Sequence, residues 1–444
     1  MEKKSLSCEY LHHAVYLAPN ELRHCCKRFF HKGEMKGDVK VINIEKNEDF
    51  NVEDIIKSKN ELLKKLNNGE ENECTGCPYL ERKNWPEINK NNFSLNLVSV
   101  ESTSICSMKC TYCSDMYYGG LKPSYDVNDA LKKLEVHITG NNEFELVWGG
   151  GEPLLLKGFD ELLTKYTDIF SPKRNLVYSN ALKYSQALEK MLSLNKAILT
   201  TSIDAGTPGM FKLIRGVKGI DKVFKNLKEY EKFSYKKNGL CVNIIIKYII
   251  TDENINEDEI NGFLAYVSNY ELYNCSFQLS SDFKKEVLSD EQILNVLKLY
   301  FGLRENGVKL VFFDYHLSPR IKSGLEKLLK NNQENNYDLE PFINIYHSNE
   351  QRDVIVWGAG DTGRLLARNN FLFREKKLNI LNYVDKNTNL IGKKVNGKDV
   401  KEIKTLIENS NEIAIASSAY YDEIYNEIID LKIDPKRIID PIFI

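Results

Sequence analysis

Between residues 95 and 320 two kinds of apolar segment alternate. Short runs rich in β-branched and aromatic residues fall at 95–100, 144–148, 176–178, 197–203, 241–250, 276–279 and 308–313. Their length and composition predict strands. Between them lie stretches with apolar positions at helical spacing, such as 127–137, 159–170 and 221–233. Repeated strand–helix alternation predicts parallel strands joined by crossover helices, closed or partly closed as a barrel.

The flanking regions read differently. In residues 1–90 an apolar run at 11–17, turn chemistry at Pro19-Asn20 and a second run at 22–26 predict a hairpin. His12 and His13, adjacent in that predicted strand, would point to opposite faces. Residues 52–66 place Ile55, Ile56, Leu62, Leu63 and Leu66 on one helical face. Residues 321–350 are polar and rich in Asn and Glu, which reads as a linker. From 351 to 444 a new α/β pattern begins: a strand at 353–357, a helix from Gly363, strands at 378–384 and 412–416, and a helix at 422–431.

Composition narrows the function classes. The chain has 444 residues, 61 basic and 63 acidic, for a net charge of −2. Such a balance argues against a general nucleic-acid binder. No apolar run is long enough for a membrane span, and the N-terminus lacks the apolar core of a signal peptide. The expected compartment is the cytoplasm, where thiols stay reduced. The ten cysteines therefore need a role other than disulfides, and eight of them fall in the first 113 residues.

Cys106, Cys110 and Cys113 form a C-x3-C-x2-C loop directly after the first predicted barrel strand. Three thiolates on one loop can hold three irons of a [4Fe-4S] cluster and leave the fourth open. An odd triple is a poor match to a four-ligand zinc site. One β-α unit later comes Gly149-Gly150-Gly151-Glu152-Pro153. Consecutive glycines let a ligand approach the main chain, and the Glu152 carboxylate suits an ammonium group. Read alone, the same five residues make a plain turn.

These two motifs resemble the radical S-adenosylmethionine (SAM) superfamily, over residues 95–320. The resemblance implies an α/β chain with a partial (β/α)6 TIM-like barrel. It implies a [4Fe-4S] cluster on Cys106, Cys110 and Cys113, with SAM chelating the open iron. By the same resemblance Tyr112 lies near the adenine, and Gly150, Gly151 and Glu152 take the SAM amine. Ser179 and Asn180 face the ribose or carboxylate; Ser202, Asp204 and Arg215 serve the same groups. Each of these later residues, taken alone, would serve equally as a strand-end polar group. The implied chemistry is reductive cleavage of SAM to a 5′-deoxyadenosyl radical, which removes hydrogen from a substrate C–H bond. An electron donor such as a reductase, flavodoxin or ferredoxin is implied as well.

Cys74-Thr-Gly-Cys77 is a knuckle with metal-ligand spacing, and Cys8, Cys25 and Cys26 lie upstream. The order resembles the auxiliary-cluster (SPASM) module of radical SAM enzymes, placed here before the barrel. The implied ligands are Cys8, one of Cys25 and Cys26, Cys74 and Cys77. A second [4Fe-4S] cluster and a zinc ion with His24 or His31 as stand-in ligands both remain open. Cys241 and Cys275 lie in apolar strands and read as core.

Residues 354–363 contain Gly358-x-Gly360-x-x-Gly363 between a predicted strand and helix, and a second strand ends at Asp385. In that context the fingerprint implies a phosphate at a helix N-terminus and Asp385 near a ribose hydroxyl. A small C-terminal Rossmann-like domain binding a nucleotide or nucleotide-sugar is expected; a docking or structural role stays open. The functional expectation is a radical SAM enzyme acting on a sugar or nucleotide-sugar. The alternatives are a peptide or protein maturase and a non-catalytic iron–sulfur or nucleotide-binding regulator. Substrate is thus a small molecule or peptide, with no nucleic acid and no membrane.

Overall fold

The computed structural model describes residues 4–44, 50–113, 119–138, 144–282, 287–314, 317–330, 350–374, 376–417 and 420–439. Most of the expected linker (331–349) and the pair Tyr117-Tyr118 lie outside them. Two compact units divide the chain. The first comprises 1–203, 211–235 and 243–245; the second comprises 204–210, 236–242 and 246–444.

In the first unit a small ribbon pairs β1 (Ser5–Ser7) with β5 (Glu81–Lys83). The main sheet contains β2 (Ala14–Leu17), β3 (Glu21–His31), β4 (Glu34–Asn43), β6 (Leu97–Val100), β7 (Glu145–Trp148), β8 (Arg174–Tyr178) and β9 (Ala197–Ser202). Their order is β4-β3-β2-β6-β7-β8-β9. From β2 to β9 all neighbours are parallel, whereas β2–β3 and β3–β4 are antiparallel. The N-terminal region is thus not a separate lobe in its backbone pairing. Its β2 runs alongside β6, with Tyr16 opposite Ser99 and Leu17 opposite Val100.

Periodicity explains the covering helices. In Phe159–Phe170 the side chains of Phe159, Leu163, Tyr166 and Phe170 are buried, one stripe at helical spacing. Ser171, with φ of +46°, ends that helix in the left-handed region. Beneath it the buried Trp148 donates through Nε1 to Asn175 Oδ1 at 3.1 Å. Asn175 Nδ2 donates in turn to Thr167 Oγ1 at 2.8 Å. Both buried polar groups are therefore satisfied. Helix Val52–Asn68 starts on an Asn51 cap and stops at Gly69 with φ of +74°.

The second unit takes β10 (Cys241–Ile250) apart from residues 243–245, with β11 (Cys275–Ser281) and β12 (Leu310–Phe313) following in sheet order, and β11 and β12 run parallel. Cys241 and Cys275 are fully buried, as expected of core residues. The expected linker begins inside a helix, Leu317–Lys330. A second sheet follows: β13 (Arg352–Trp357), β14 (Leu378–Val384), β15 (Lys394–Val395), β16 (Lys398–Lys401) and β17 (Glu412–Ile415), in the order β15-β16-β14-β13-β17. Its central pairs are parallel, and Ile355, Trp357, Val384, Ile413, Ile415 and Ile428 share one buried cluster.

One local expectation fails. His12 and His13 belong to a short helix, Glu9–His13, and not to a strand. Cys8 caps that helix, its sulfur accepting from the Leu11 amide at 3.4 Å. Among the described residues no helix is long and apolar enough to cross a membrane.

Candidate active site

The three-cysteine loop leaves the end of β6 without regular secondary structure. Its shape is imposed from outside. The amides of Lys109 and Thr111 donate to the carbonyls of Arg215 and Ile214 at 2.8 and 2.9 Å. Those carbonyls close the helix Pro208–Arg215 and lack intrahelical partners. Gly216 follows with φ of +75°, and a Cβ there would meet Lys109 Cβ at 2.6 Å. Arg215, itself buried, sends Nε to Met108 Sδ at 3.2 Å and a guanidinium nitrogen to the Tyr112 hydroxyl. Tyr112 and Arg215 are thus one unit against the cysteine loop.

The glycine-rich turn lies directly on the lead-in to that loop. Gly151 donates to the Thr103 carbonyl at 2.7 Å, and Glu152 to the Ile105 carbonyl at 2.9 Å. A Cβ on Gly150 would come within 2.7 Å of the Thr103 oxygen, and one on Gly151 within 2.4 Å of the Ile105 oxygen. These two glycines are required by chain-on-chain contact, which the ligand-approach reading did not anticipate. Glu152 is likewise engaged. Its carboxylate accepts from the Leu154 amide (3.1 Å), Ser179 Oγ (2.8 Å) and the Asn180 amide (2.7 Å). Burial pushes its carboxyl above the usual range, against those three donors and the Arg215 charge. As it stands, this side chain ties the glycine turn to Ser179-Asn180.

Asn180 completes the circuit. Its Nδ2 donates to Ser107 Oγ at 3.0 Å and lies 3.6 Å from Cys106 Sγ. The Met108 amide also donates to Cys106 Sγ, at 3.3 Å. Sulfur that collects N–H donors is suited to thiolate. Burial nevertheless pushes the Cys106 thiol up, and pushes Cys113 up to about 11. Cys110 and Cys106 add to the Cys113 shift, while Arg215 and Arg28 oppose it. Thiols whose ionisation is opposed by burial and by neighbouring sulfur, as at Cys106 and Cys113, call for a cation to neutralise them. Among the described residues no group of three or more His, Cys, Asp or Glu side chains is arranged to hold a single metal ion. A four-iron cluster spreads its thiolates around a wider body than one zinc ion does, and an all-cysteine donor set fits such a cluster.

Ser202 ends β9 half-buried. Asp204 belongs to the second unit, with φ of +62°. Its Oδ1 accepts from the Ile249 amide at 2.6 Å and its carbonyl from Asn254 Nδ2 at 2.9 Å. The carboxylate thus has a structural partner, which the expected role on SAM did not include.

The N-terminal cysteines separate into two environments. Cys8, Cys25, Cys74 and Cys77 line one apolar pocket, together with His24, Leu62 and Tyr79. Cys26 does not line it. Its thiol bonds with the Tyr16 hydroxyl and sits beside Glu101, which burial and that carboxylate make hard to ionise. The pocket thiols are also pushed up by burial, Cys8 to about 12 and Cys25 to about 11. His31 is not among the pocket residues; it packs on Gly76, within the Cys74–Cys77 knuckle. His24 Nε2 is 3.1 Å from Ser58 Oγ, and its Nδ1 is buried without a partner.

In the C-terminal sheet the glycines play distinct parts. A Cβ on Gly363 would lie 1.8 Å from the Gly358 carbonyl, so close packing demands glycine there. Gly358 has φ of +111°. Gly360 caps the helix Asp361–Asn369 and borders open space. Asp385 accepts from the Ala359 amide at 2.7 Å and the Asn387 amide at 2.8 Å. It is therefore a brace for the glycine loop, a role the ribose assignment overlooked.

Residues 100–259 match the Radical SAM superfamily. This stretch is a radical SAM domain. Residues 350–439 match a second family, C2185-like, N-terminal. The chain is 26% identical over 188 residues to the GTP 3′,8-cyclase of Clostridium botulinum, covering 41% of this chain and 56% of that one. It is 24% identical over 232 residues to the GTP 3′,8-cyclase of Haemophilus influenzae, covering 52% and 59%. The chain thus spans little more than half the length of these relatives. Among solved structures, Streptococcus suis SuiB is similar with 14% identity and a TM-score of 0.39, over 69% of this chain and 63% of that one. For anSMEcpe with bound AdoMet and Cp18Cys peptide the values are 18% and 0.37, over 50% and 64%.

Within the radical SAM domain, Cys106, Gly150, Gly151, Glu152, Ser179, Asn180, Tyr112 and Arg215 form one connected network. Sequence reasoning passed over Met108 and Lys59. Met108 gave no signal. Lys59 did: it sits at the centre of the apolar stripe Ile55, Leu62, Leu66, and a lysine there is out of pattern.

Proposed function

We propose that this chain cleaves SAM reductively at the Cys106–Cys110–Cys113 loop and uses the product to remove hydrogen from an organic substrate. The observation that carries this reading is the link Cys106–Asn180–Glu152, which joins the thiols to the glycine turn. Cys106, Cys110 and Cys113 would hold a [4Fe-4S] cluster; Gly150, Gly151, Ser179, Asn180, Tyr112 and Arg215 border the place SAM would take. When bound, cluster and SAM together supply an electron and a primary carbon radical for hydrogen abstraction. The chain's own residues orient and enclose. Glu152 holds the turn against Asn180, Arg215 holds Tyr112 against the loop, and the 103–105 backbone sets their spacing. A one-electron donor is needed from outside.

Cys8, Cys25, Cys74 and Cys77 would hold an auxiliary [4Fe-4S] cluster. The substrate class we favour is a nucleotide or nucleotide-linked sugar. Its support is the open notch at Gly360 and the kinship to proteins named for action on GTP. Peptide maturation is the second reading, supported by the auxiliary cysteine pocket. The test is anaerobic reconstitution with iron, sulfide and a strong reductant, followed by mass spectrometry for 5′-deoxyadenosine. Wild type should form it. The Cys106→Ala, Cys110→Ala, Cys113→Ala protein should not; undiminished cleavage there would overturn the assignment.

A further inference from the structure

Lys59 is fully buried inside the N-terminal region. Its Nζ donates to the carbonyls of Leu11 at 2.7 Å and Ala14 at 2.9 Å. Both carbonyls lie at the end of the short helix that Cys8 caps. The lysine therefore stands behind the cysteine pocket, on the same helix as the pocket residue Leu62. Burying an ammonium without an opposite charge is costly. Burial pulls its ammonium down to about 7, and the ionisable groups that oppose this are Cys8 and Cys25, both of the pocket. His24, another pocket residue, also feels the Lys59 charge.

A lysine that serves only to bridge two carbonyls gains nothing from neighbouring thiols. One that faces four thiolates around iron has a counter-charge. Four cysteinates on a cubane cluster carry net negative charge, and reduction adds one more. A buried ammonium drawn down by burial is held charged by that anion, and in return it favours the more negative state.

We infer that Lys59 is the buried counter-cation of the auxiliary centre held by Cys8, Cys25, Cys74 and Cys77, and raises that centre's reduction potential. The inference rests on the auxiliary-cluster reading above. Lys59 touches neither substrate nor SAM; it is a positioning residue that acts through the charge of the pocket.

The test uses full-length protein carrying Cys106→Ala, Cys110→Ala and Cys113→Ala, so that one cluster remains. Iron content and an EPR-monitored redox titration are compared with and without Lys59→Met and Lys59→Gln. Gln keeps N–H donors for the two carbonyls and removes only the charge. Both variants should retain iron, and at a fixed poise their reduced-to-oxidised ratio should fall about tenfold, equivalent to about 59 mV for one electron. Iron retained at unchanged potential overturns the inference. If Lys59→Gln folds by circular dichroism yet loses its iron, the lysine shapes the pocket through its two carbonyl bonds rather than tuning the centre by charge, which overturns the inference. No iron in the parent triple variant overturns the auxiliary-centre reading, and the inference with it.

Discussion

Cys25 and Cys26 are neighbours in β3, yet they serve different surroundings. Cys25 shares a pocket with Cys8, Cys74 and Cys77, while Cys26 bonds with Tyr16 beside Glu101. Successive strand side chains alternate between faces, so a single strand divides the two environments. In the Cys106→Ala, Cys110→Ala, Cys113→Ala background we expect about four irons per chain. Cys25→Ser should remove them and Cys26→Ser should leave them. Inductively coupled plasma spectrometry of the two variants decides it, and equal iron loss in both would refute the division.

Gly151→Ala should be severe for a steric reason. The new Cβ would press on the Ile105 carbonyl. Overpacking of this kind costs about 1–3 kcal/mol, and it also moves the lead-in to Cys106. We expect a lower Tm together with loss of 5′-deoxyadenosine formation. A variant with wild-type Tm and wild-type cleavage would show that the turn tolerates the shift.

Glu152→Gln keeps the shape but replaces one acceptor by a donor facing Ser179, Leu154 or Asn180. An unsatisfied buried donor costs about 1–3 kcal/mol. Thermal unfolding should register this loss, and SAM binding by isothermal titration should weaken, because Asn180 is released from its position near Cys106. Unchanged affinity would confine Glu152 to local stability.

Burial holds His12 down to about 4 from its ordinary 6.5, with His13 and Lys59 contributing. The ring stacks on Trp85 at 4.7 Å and its Nε2 is buried without a partner. The folded state therefore keeps this histidine neutral. Its contribution to stability is complete above pH 6.5 and is lost as pH falls from 6.5 toward 4. The full difference is on the order of 3 kcal/mol. Tm measured against pH should fall more steeply across that window in wild type than in His12→Gln; parallel curves would remove His12 as the cause.

In the C-terminal domain the two kinds of loop residue should separate. Gly360→Val adds bulk toward open space and should leave Tm unchanged while blocking any phosphate ligand. Asp385→Ala removes the acceptor of the Ala359 amide and should lower Tm by about 1 kcal/mol equivalent. Titration of full-length protein with nucleotides and nucleotide-sugars measures the first, and calorimetry the second. If Gly360→Val binds normally, the notch is not the ligand site.

Much of this fold could be read from periodicity. The strand Cys241–Ile250, the helix Phe159–Phe170 and the strand Leu378–Val384 fall where apolar spacing places them. So does the cysteine triple at the end of the first barrel strand. The misses share a cause: the partner was distant in sequence. His12 looked like strand because the helix Glu9–His13 is set by a cysteine cap, and cysteine is not among the usual capping residues. The same distance hid the protein contacts of other residues: nothing local reveals the 103–105 backbone against Gly150 and Gly151, and a carboxylate after a glycine run gives no hint of the protein amides that Glu152 and Asp385 accept from. Lys59 alone announced itself, as a break in an apolar stripe.

The cysteine loop takes its shape from the carbonyls of Ile214 and Arg215, about a hundred positions later in the chain. A nascent chain therefore exposes these three thiols long before the template that arranges them has been synthesised. If they hold the cluster proposed above, iron delivered in that interval would meet cysteines without a defined geometry. Loading would then wait until the stretch through Gly216 had emerged and docked, its timing set by the distance between a loop and the helix end that holds it.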